Sequence, residues 1–151
     1  MENSILLNLR PSDVPASFTV CFNNECPHRD KCLRHTAGQA ITPHRDHGTS
    51  VFPGALKADG QCRFFFQKRI IRAAWGFRPL FCGVRHEDYA PLRQQVMALF
   101  GSDRRFYRFN NGEYKLTPER QAEVLAVFKR FGYDTTDLRF AHYEELVDFI
   151  E

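Results

Sequence analysis

Cys21, Cys26 and Cys32 fall within twelve residues as C-x4-C-x5-C, and Cys62 follows a loop-like stretch, so four thiols are available to one ion. Soft thiolates at short spacing suit Zn²⁺ or an iron–sulfur cluster, because each intervening loop can turn back toward a tetrahedral centre. The segment CFNNECPHRDKC sets the turn formers Asn23, Asn24 and Pro27 between the candidate ligands. Such a polar knuckle has little apolar surface of its own, and a metal would supply what the missing core does not. Structural zinc held by Cys21, Cys26, Cys32 and Cys62 is the expected cofactor. An iron–sulfur cluster is the alternative, and a Cys₃His site using His35 is the leading variant, with His28, His44 and His47 as further neighbouring donors. Four thiolates close the coordination shell, so such a metal is architectural rather than catalytic.

Competing uses of these residues are weaker. A disulfide framework needs an oxidising compartment, and MENSILLNLRPSD has no basic start and only a short apolar run broken by Asn8 and Arg10. Cys82, in LFCGV, reads as an isolated buried thiol. His44, Asp46 and His47 of PHRDH are the one set that offers ligands for an open, catalytic metal site of a hydrolase or nuclease, yet contiguous polar residues more often make a solvated loop. Trp75 and Phe64, Phe65 and Phe66 read as core.

At 151 residues, 43% hydrophobic and 14% aromatic, the chain can bury a core, and no apolar run is long enough to span a bilayer. A cytoplasmic protein is expected. The elements that must position the cysteines are of uneven clarity. Residues 1 to 17 read as an irregular lead, 18 to 35 as the knuckle and 36 to 61 as a second loop-rich stretch, giving an irregular metal-binding region over 1–62 and an α+β region over 63–151, the two forming either separate parts or one compact domain. Residues 63 to 77 fit either a helix, with Phe66, Ile70, Ala73, Ala74 and Phe77 on one face, or a strand; the helical reading is ahead. Asp88 is an N-cap for a helix burying Leu92, Val96, Leu99 and Phe100, stopped by Gly101. Asn111-Gly112 favours a type I′ turn, predicting a hairpin of Tyr107–Phe109 with Tyr114–Leu116. Thr117-Pro118 starts a helix with Val124, Val127, Phe128 and Phe131 on one face, and Tyr143, Leu146, Val147 and Ile150 suggest a last helix. The predicted class is α+β: a zinc knuckle packed on a helix–hairpin–helix–helix unit.

Net charge is too small to identify a partner, but its distribution is uneven. The formal net charge is only +3, but residues 61–85 carry six basic side chains and no acidic one, whereas six acids face one Arg139 in 131–151. In the predicted hairpin Arg108 lies opposite Lys115, a repulsion that an anionic partner would relieve; divergence into water, or neutralisation by the acidic tail, would relieve it equally. Lys68, Arg69, Arg72, Arg104, Arg105, Arg108 and Lys115 are the candidate anion- or nucleic-acid-binding residues, with Phe106, Tyr107 or Trp75 available to stack on bases.

The stretches CFNNECPHRDKCLRHTAG, VFPG, GQCRFFF, AWGF, LFGSDRRFYRFNNGEYKLTPERQ and FGY, spanning roughly residues 18 to 133, resemble an uncharacterised bacterial family, domain of unknown function 6078. The resemblance implies a small bacterial cytoplasmic protein and carries no activity, substrate or catalytic residue with it. The residues themselves point to a non-enzymatic, zinc-stabilised regulatory module that contacts nucleic acid; a protein–protein adaptor docking on an acidic surface is the alternative, and a metal-dependent hydrolase or nuclease comes third. A small-molecule substrate is not expected.

Overall fold

The computed structural model describes residues 4–150. The first three residues of the expected irregular lead and Glu151 of the acidic tail lie outside them. The chain forms two compact units, Met1–Ile70 with Val147–Glu151, and Ile71–Leu146. Where the sequence suggests a division at 62/63, the units divide at 70/71, and the last residues return to the first.

In the first unit, α1 (Ser4–Leu7), β1 (Val20–Cys21), α2 (Leu33–Ile41) and β2 (Ser50–Val51) are joined by loops and by single 3₁₀ turns at Pro11–Asp13, Arg29–Lys31 and Pro53–Ala55. Strands β1 and β2 pair in parallel, Val20 with Ser50 and Cys21 with Val51. Leu33, Ala37 and Ile41 recur at i, i+4 and i+8 on α2 and pack with Val14, Phe18, Val20 and Val147 in a small core. This helix has no counterpart in the sequence reading of 18–61. Its N-cap, Cys32, makes no side-chain cap hydrogen bond, and Gly38 sits inside it, so the usual start signal and propensity are both missing.

The second unit contains most of β3 (Ile70–Trp75), then α3 (Arg78–Phe81), α4 (His86–Ala98), α5 (Asp103–Asn111), α6 (Pro118–Arg130) and most of β4 (His142–Val147). Its core gathers Phe77, Leu80, Leu92, Val96, Phe100, Phe106, Phe109, Leu116, Val124, Val127, Phe128 and Phe140. Phe77 stacks on Phe106 at 4.7 Å between centroids, within a cluster of tilted and edge-on phenyl rings. The mixed α+β class agrees with the sequence, as does α6: the Thr117 hydroxyl accepts from the Arg120 N–H, Pro118 occupies the first turn, and Val124, Val127 and Phe128 are buried. Helix α4 buries Leu92 and Val96 as expected but starts at His86, so Asp88 lies in its first turn rather than capping it.

Three expected elements are corrected. Residues 70–75 are strand, not helix; the β-branched pair Ile70-Ile71 opens β3, which pairs with β4. The expected last helix is β4; Tyr143 and Val147 share one strand face, Leu146 lies on the other, and the i, i+3, i+4 spacing that suggests a helix is overridden by pairing with β3. The two strands run in opposite directions, since Ala141 N–H bonds the Gly76 carbonyl and Asp148 N–H the Arg69 carbonyl, both at 2.9 Å. The predicted hairpin is instead helix α5 and its exit. Ser102 caps it by accepting from Arg105 N–H at 3.3 Å, Phe106 and Phe109 form its buried face, and Gly112, at φ +82°, ends it in the left-handed conformation. Leu116 then forms an antiparallel bridge with Ala74.

Candidate functional site

Cys21, Cys26, Cys32 and Cys62 line one cavity of the first unit, of about 30 Å³. Each arrives on a different piece of backbone. Cys21 ends β1. Cys26 lies between two successive turns, its N–H bonded to the Asn23 carbonyl at 3.3 Å and its carbonyl to the Arg29 N–H at 3.2 Å. Cys32 caps α2 and forms an antiparallel bridge with Gln67, while Leu33 N–H bonds the Phe66 carbonyl at 2.6 Å. Cys62 bridges to Leu56 and turns into Phe65 through a 3.1 Å hydrogen bond. All four are free thiols, with Cys32 buried and the others half-buried.

Helix α2 reaches β1 closely at this point: a Cβ on Gly38 would lie 2.5 Å from the carbonyl oxygen of Cys21. Arg34, buried at 7% exposure, donates from Nε to the Phe64 carbonyl and from Nη1 to the Thr19 carbonyl, both at 2.8 Å, tying the two chain segments that flank the cavity. Its guanidinium also lies over the Phe18 and Phe66 rings at 5.1 and 5.5 Å. Neither Arg34 nor Gly38 carries a motif that marks it in the sequence; each is recognisable only from its neighbours in space.

The donor set suits a thiophilic ion, and a cavity of this size exceeds the roughly 10–15 Å³ a water centre needs. Arg29 and Arg34 also line it, and one Zn²⁺ with four thiolates is a dianion that such cations offset. Among the described residues, no three His, Cys, Asp or Glu side chains are gathered closely enough to grip an ion as they stand, so the thiols would have to draw inward. His28 and His35 line the same space. Their Nε2 atoms bond the Gly60 carbonyl at 2.7 Å and the Asn24 side-chain oxygen at 2.9 Å, the outer hydrogen bonds that leave Nδ1 with the lone pair. Burial first, and the Arg29 charge second, lower the pKa of His35 and favour its neutral form. In donor type, though not in their present spacing, the residues suit zinc held as Cys₄ or Cys₃His.

Other expected positions differ. Cys82 is exposed rather than buried, near the end of α3. Phe64 and Phe65 line the cysteine cavity, and Phe65 is 41% exposed; Trp75 is half-buried, stacked on His142 at 5.0 Å and under the Lys115 ammonium at 4.6 Å. In PHRDH, His44, Asp46 and His47 are exposed, with His47 Nδ1 paired to Asp46 at 2.6 Å. Arg45 is the anchor there, its Nη2 donating to the Pro11 and Val14 carbonyls at 2.9 and 2.5 Å.

Lys68 and Arg69 belong to the first unit, and Arg72, Arg104, Arg105, Arg108 and Lys115 to the second. Several of these cations already have carboxylate partners. Arg69 grips buried Asp148 through Nε and Nη2 at 3.0 and 2.7 Å, Arg108 pairs with Glu113 at 3.2 Å, and Lys115 pairs with Glu144. Arg108 and Lys115 do not face each other across a hairpin, because Arg108 lies on α5. Arg72 covers the Tyr143 ring at 4.2 Å. Arg104 and Arg105 are exposed on α5, and no ion pair engages them among the described residues.

The fold and this cavity define a class: an α+β protein of two compact units, one with a small cavity whose lining includes four cysteines. The chain belongs to the Family of unknown function (DUF6078), whose model matches residues 1–149. No curated protein and no solved structure matches it. No helix among the described residues is long and apolar enough to cross a membrane.

Proposed function

We propose that the protein is a non-enzymatic, zinc-stabilised regulatory module that contacts nucleic acid. The observation that carries the zinc part is the lining of one small cavity by all four cysteines of the C-x4-C-x5-C…C pattern. The metal would join β1 and the start of α2, which contribute Val20 and Leu33 to a core of few residues, to the turns at Cys26 and Cys62, which contribute none. A closed thiolate shell leaves no position for substrate, so the work falls to a surface. Arg104 and Arg105, exposed and without carboxylate partners among the described residues, support an anionic ligand.

The neutralisation of Arg69, Arg108 and Lys115 favours a second reading, an adaptor for a protein partner, because it lowers the number of cations available to phosphates. The zinc part is tested by thermal melts of the wild type, Cys26→Ser and Cys82→Ser, each with and without a chelator. Structural zinc in such sites contributes on the order of 10 kcal/mol coupled to folding. Cys26→Ser should therefore lose several kcal/mol and its response to the chelator, and exposed Cys82→Ser should behave as wild type within about 0.5 kcal/mol. Equal melting of all three proteins, insensitive to chelator, would refute it.

A further inference from the structure

The outer side of α4 and the turn into α5 enclose an open groove of about 780 Å³ in the second unit, lined among others by Tyr89, Arg93, Gln94, Met97, Ser102 and Asp103. Its size lies within the range of about 300–1,000 Å³ that holds small organic groups. Two tyrosine rings stand beside it, each fixed yet open to solvent. Tyr89, a lining residue, is 45% exposed and rests edge-on against Phe81 at 5.5 Å. Tyr107 is 46% exposed; its hydroxyl accepts from Nη2 of the lining residue Arg93 at 2.8 Å, and its ring sits edge-on to Phe106 at 5.5 Å. Arg93 also lies 5.9 Å from the Tyr107 ring centroid.

Helix geometry extends this surface along α5. Phe106 and Phe109 define its buried face, so Arg104, Tyr107, Arg108 and Asn111, at i, i+3, i+4 and i+7, lie away from the core. Arg104 and Arg105 precede Tyr107 without carboxylate partners among the described residues, and Asp103 is the one acid among the groove's lining residues. Phe106 and Trp75, the other candidates for stacking, are respectively buried in the phenyl cluster and covered by His142 and Lys115.

Resting on the nucleic-acid reading above, we propose that this groove is a single-strand site, in which unpaired bases stack on Tyr107 and Tyr89 while Arg104 and Arg105 meet the backbone phosphates. Fixed rings with open area bind bases at small entropic cost, and every base offers a flat face, so such a site is tolerant of sequence. It discriminates against a duplex, whose bases are already stacked and paired within the helix. Gln94, Ser102 and Asp103 add hydrogen-bonding groups along the groove for base edges.

The test is fluorescence anisotropy with labelled 12-nucleotide mixed-sequence DNA and RNA strands and the matching DNA duplex, from low to moderate salt. The wild type should bind strands more tightly than duplex. Stacking contributes about 1–3 kcal/mol per base, so Tyr107→Ala should weaken strand binding by roughly 5- to 150-fold, while Tyr107→Phe, which keeps the ring, should stay within about threefold. Arg104→Ala with Arg105→Ala should flatten the log–log salt slope by about 0.7 per lost phosphate contact. Circular dichroism verifies that each variant is folded. Preference for duplex, or strand binding indifferent to Tyr107→Ala, would overturn the single-strand site while leaving nucleic-acid binding in place. No binding to strand or duplex at low salt would remove both readings and favour a protein partner.

Discussion

Asp88 receives the Tyr133 hydroxyl at 2.5 Å and Arg85 Nε at 3.0 Å, while Tyr133 in turn accepts the Arg85 N–H at 3.1 Å. These contacts, Tyr133 first and Arg85 after it, hold the Asp88 carboxyl below its usual range. A depressed carboxyl pKa stabilises the fold above the ordinary value near 3.9, and that contribution is lost as pH falls through the lowered value. Tyr133→Phe should therefore narrow the difference in melting temperature between pH 7 and pH 3, which differential scanning fluorimetry reads directly. An unchanged difference would mean that this cluster does not couple protonation to folding. Asp88 also illustrates what a sequence conveys at this scale. Its position before an apolar helical stripe announced a helix start, and the helix is there, but the partner that fixes its role lies 45 residues further on. Arg45 is similar: within PHRDH the histidines attract notice, yet the arginine between them ties its loop to the carbonyls of Pro11 and Val14.

Glycines separate what was legible among the elements from what was not. Asn111-Gly112 reads as a type I′ hairpin turn and is instead a helix end: Gly112 has positive φ, a left-handed glycine serves a helix C-terminus as well as such a turn, and the Ser102 cap at the other end distinguishes them. Elements with signals at both ends, such as α6 with Thr117-Pro118 and Gly132, were read correctly. Elements set by pairing partners, β3 and β4, were not, because a neighbouring strand can override a short apolar spacing that favours a helix. Gly38 carries an energetic consequence. Its α carbon faces the Cys21 carbonyl so closely that an added methyl must push α2 and β1 apart, a strain of about 1–3 kcal/mol in a packed interior. Gly38→Ala should lower the melting temperature despite the better helix propensity of alanine, and should weaken zinc retention in a chelator competition, since Cys21 moves with β1. A stabilised variant would contradict this close approach.

At the scale of the whole molecule, the chain divides its means of stability. The second unit holds an extensive core of phenylalanines and aliphatic side chains, sufficient by composition to order several helices. The first unit has a small cluster around Phe18, Leu33 and Ile41, two-residue strands and long loops, and recruits Val147, the Asp148 carboxylate and Phe149 from the far end of the sequence, with Phe149 edge-on to Phe18 at 5.0 Å. Cysteine spacing draws attention to four residues that are among those lining its cavity, whereas the carboxylates that pair with Arg69 and Lys115, Asp148 and Glu144, lie far from them in sequence and are found only through tertiary contacts. A unit so poor in core is the kind that a metal completes. Elemental analysis of protein purified under reducing conditions, combined with native mass spectrometry, tests this most directly. One zinc per chain in the wild type, lost from Cys26→Ser and retained in Cys82→Ser, is the expected result; a metal-free folded chain, or iron with a visible iron–sulfur absorption band, would contradict it.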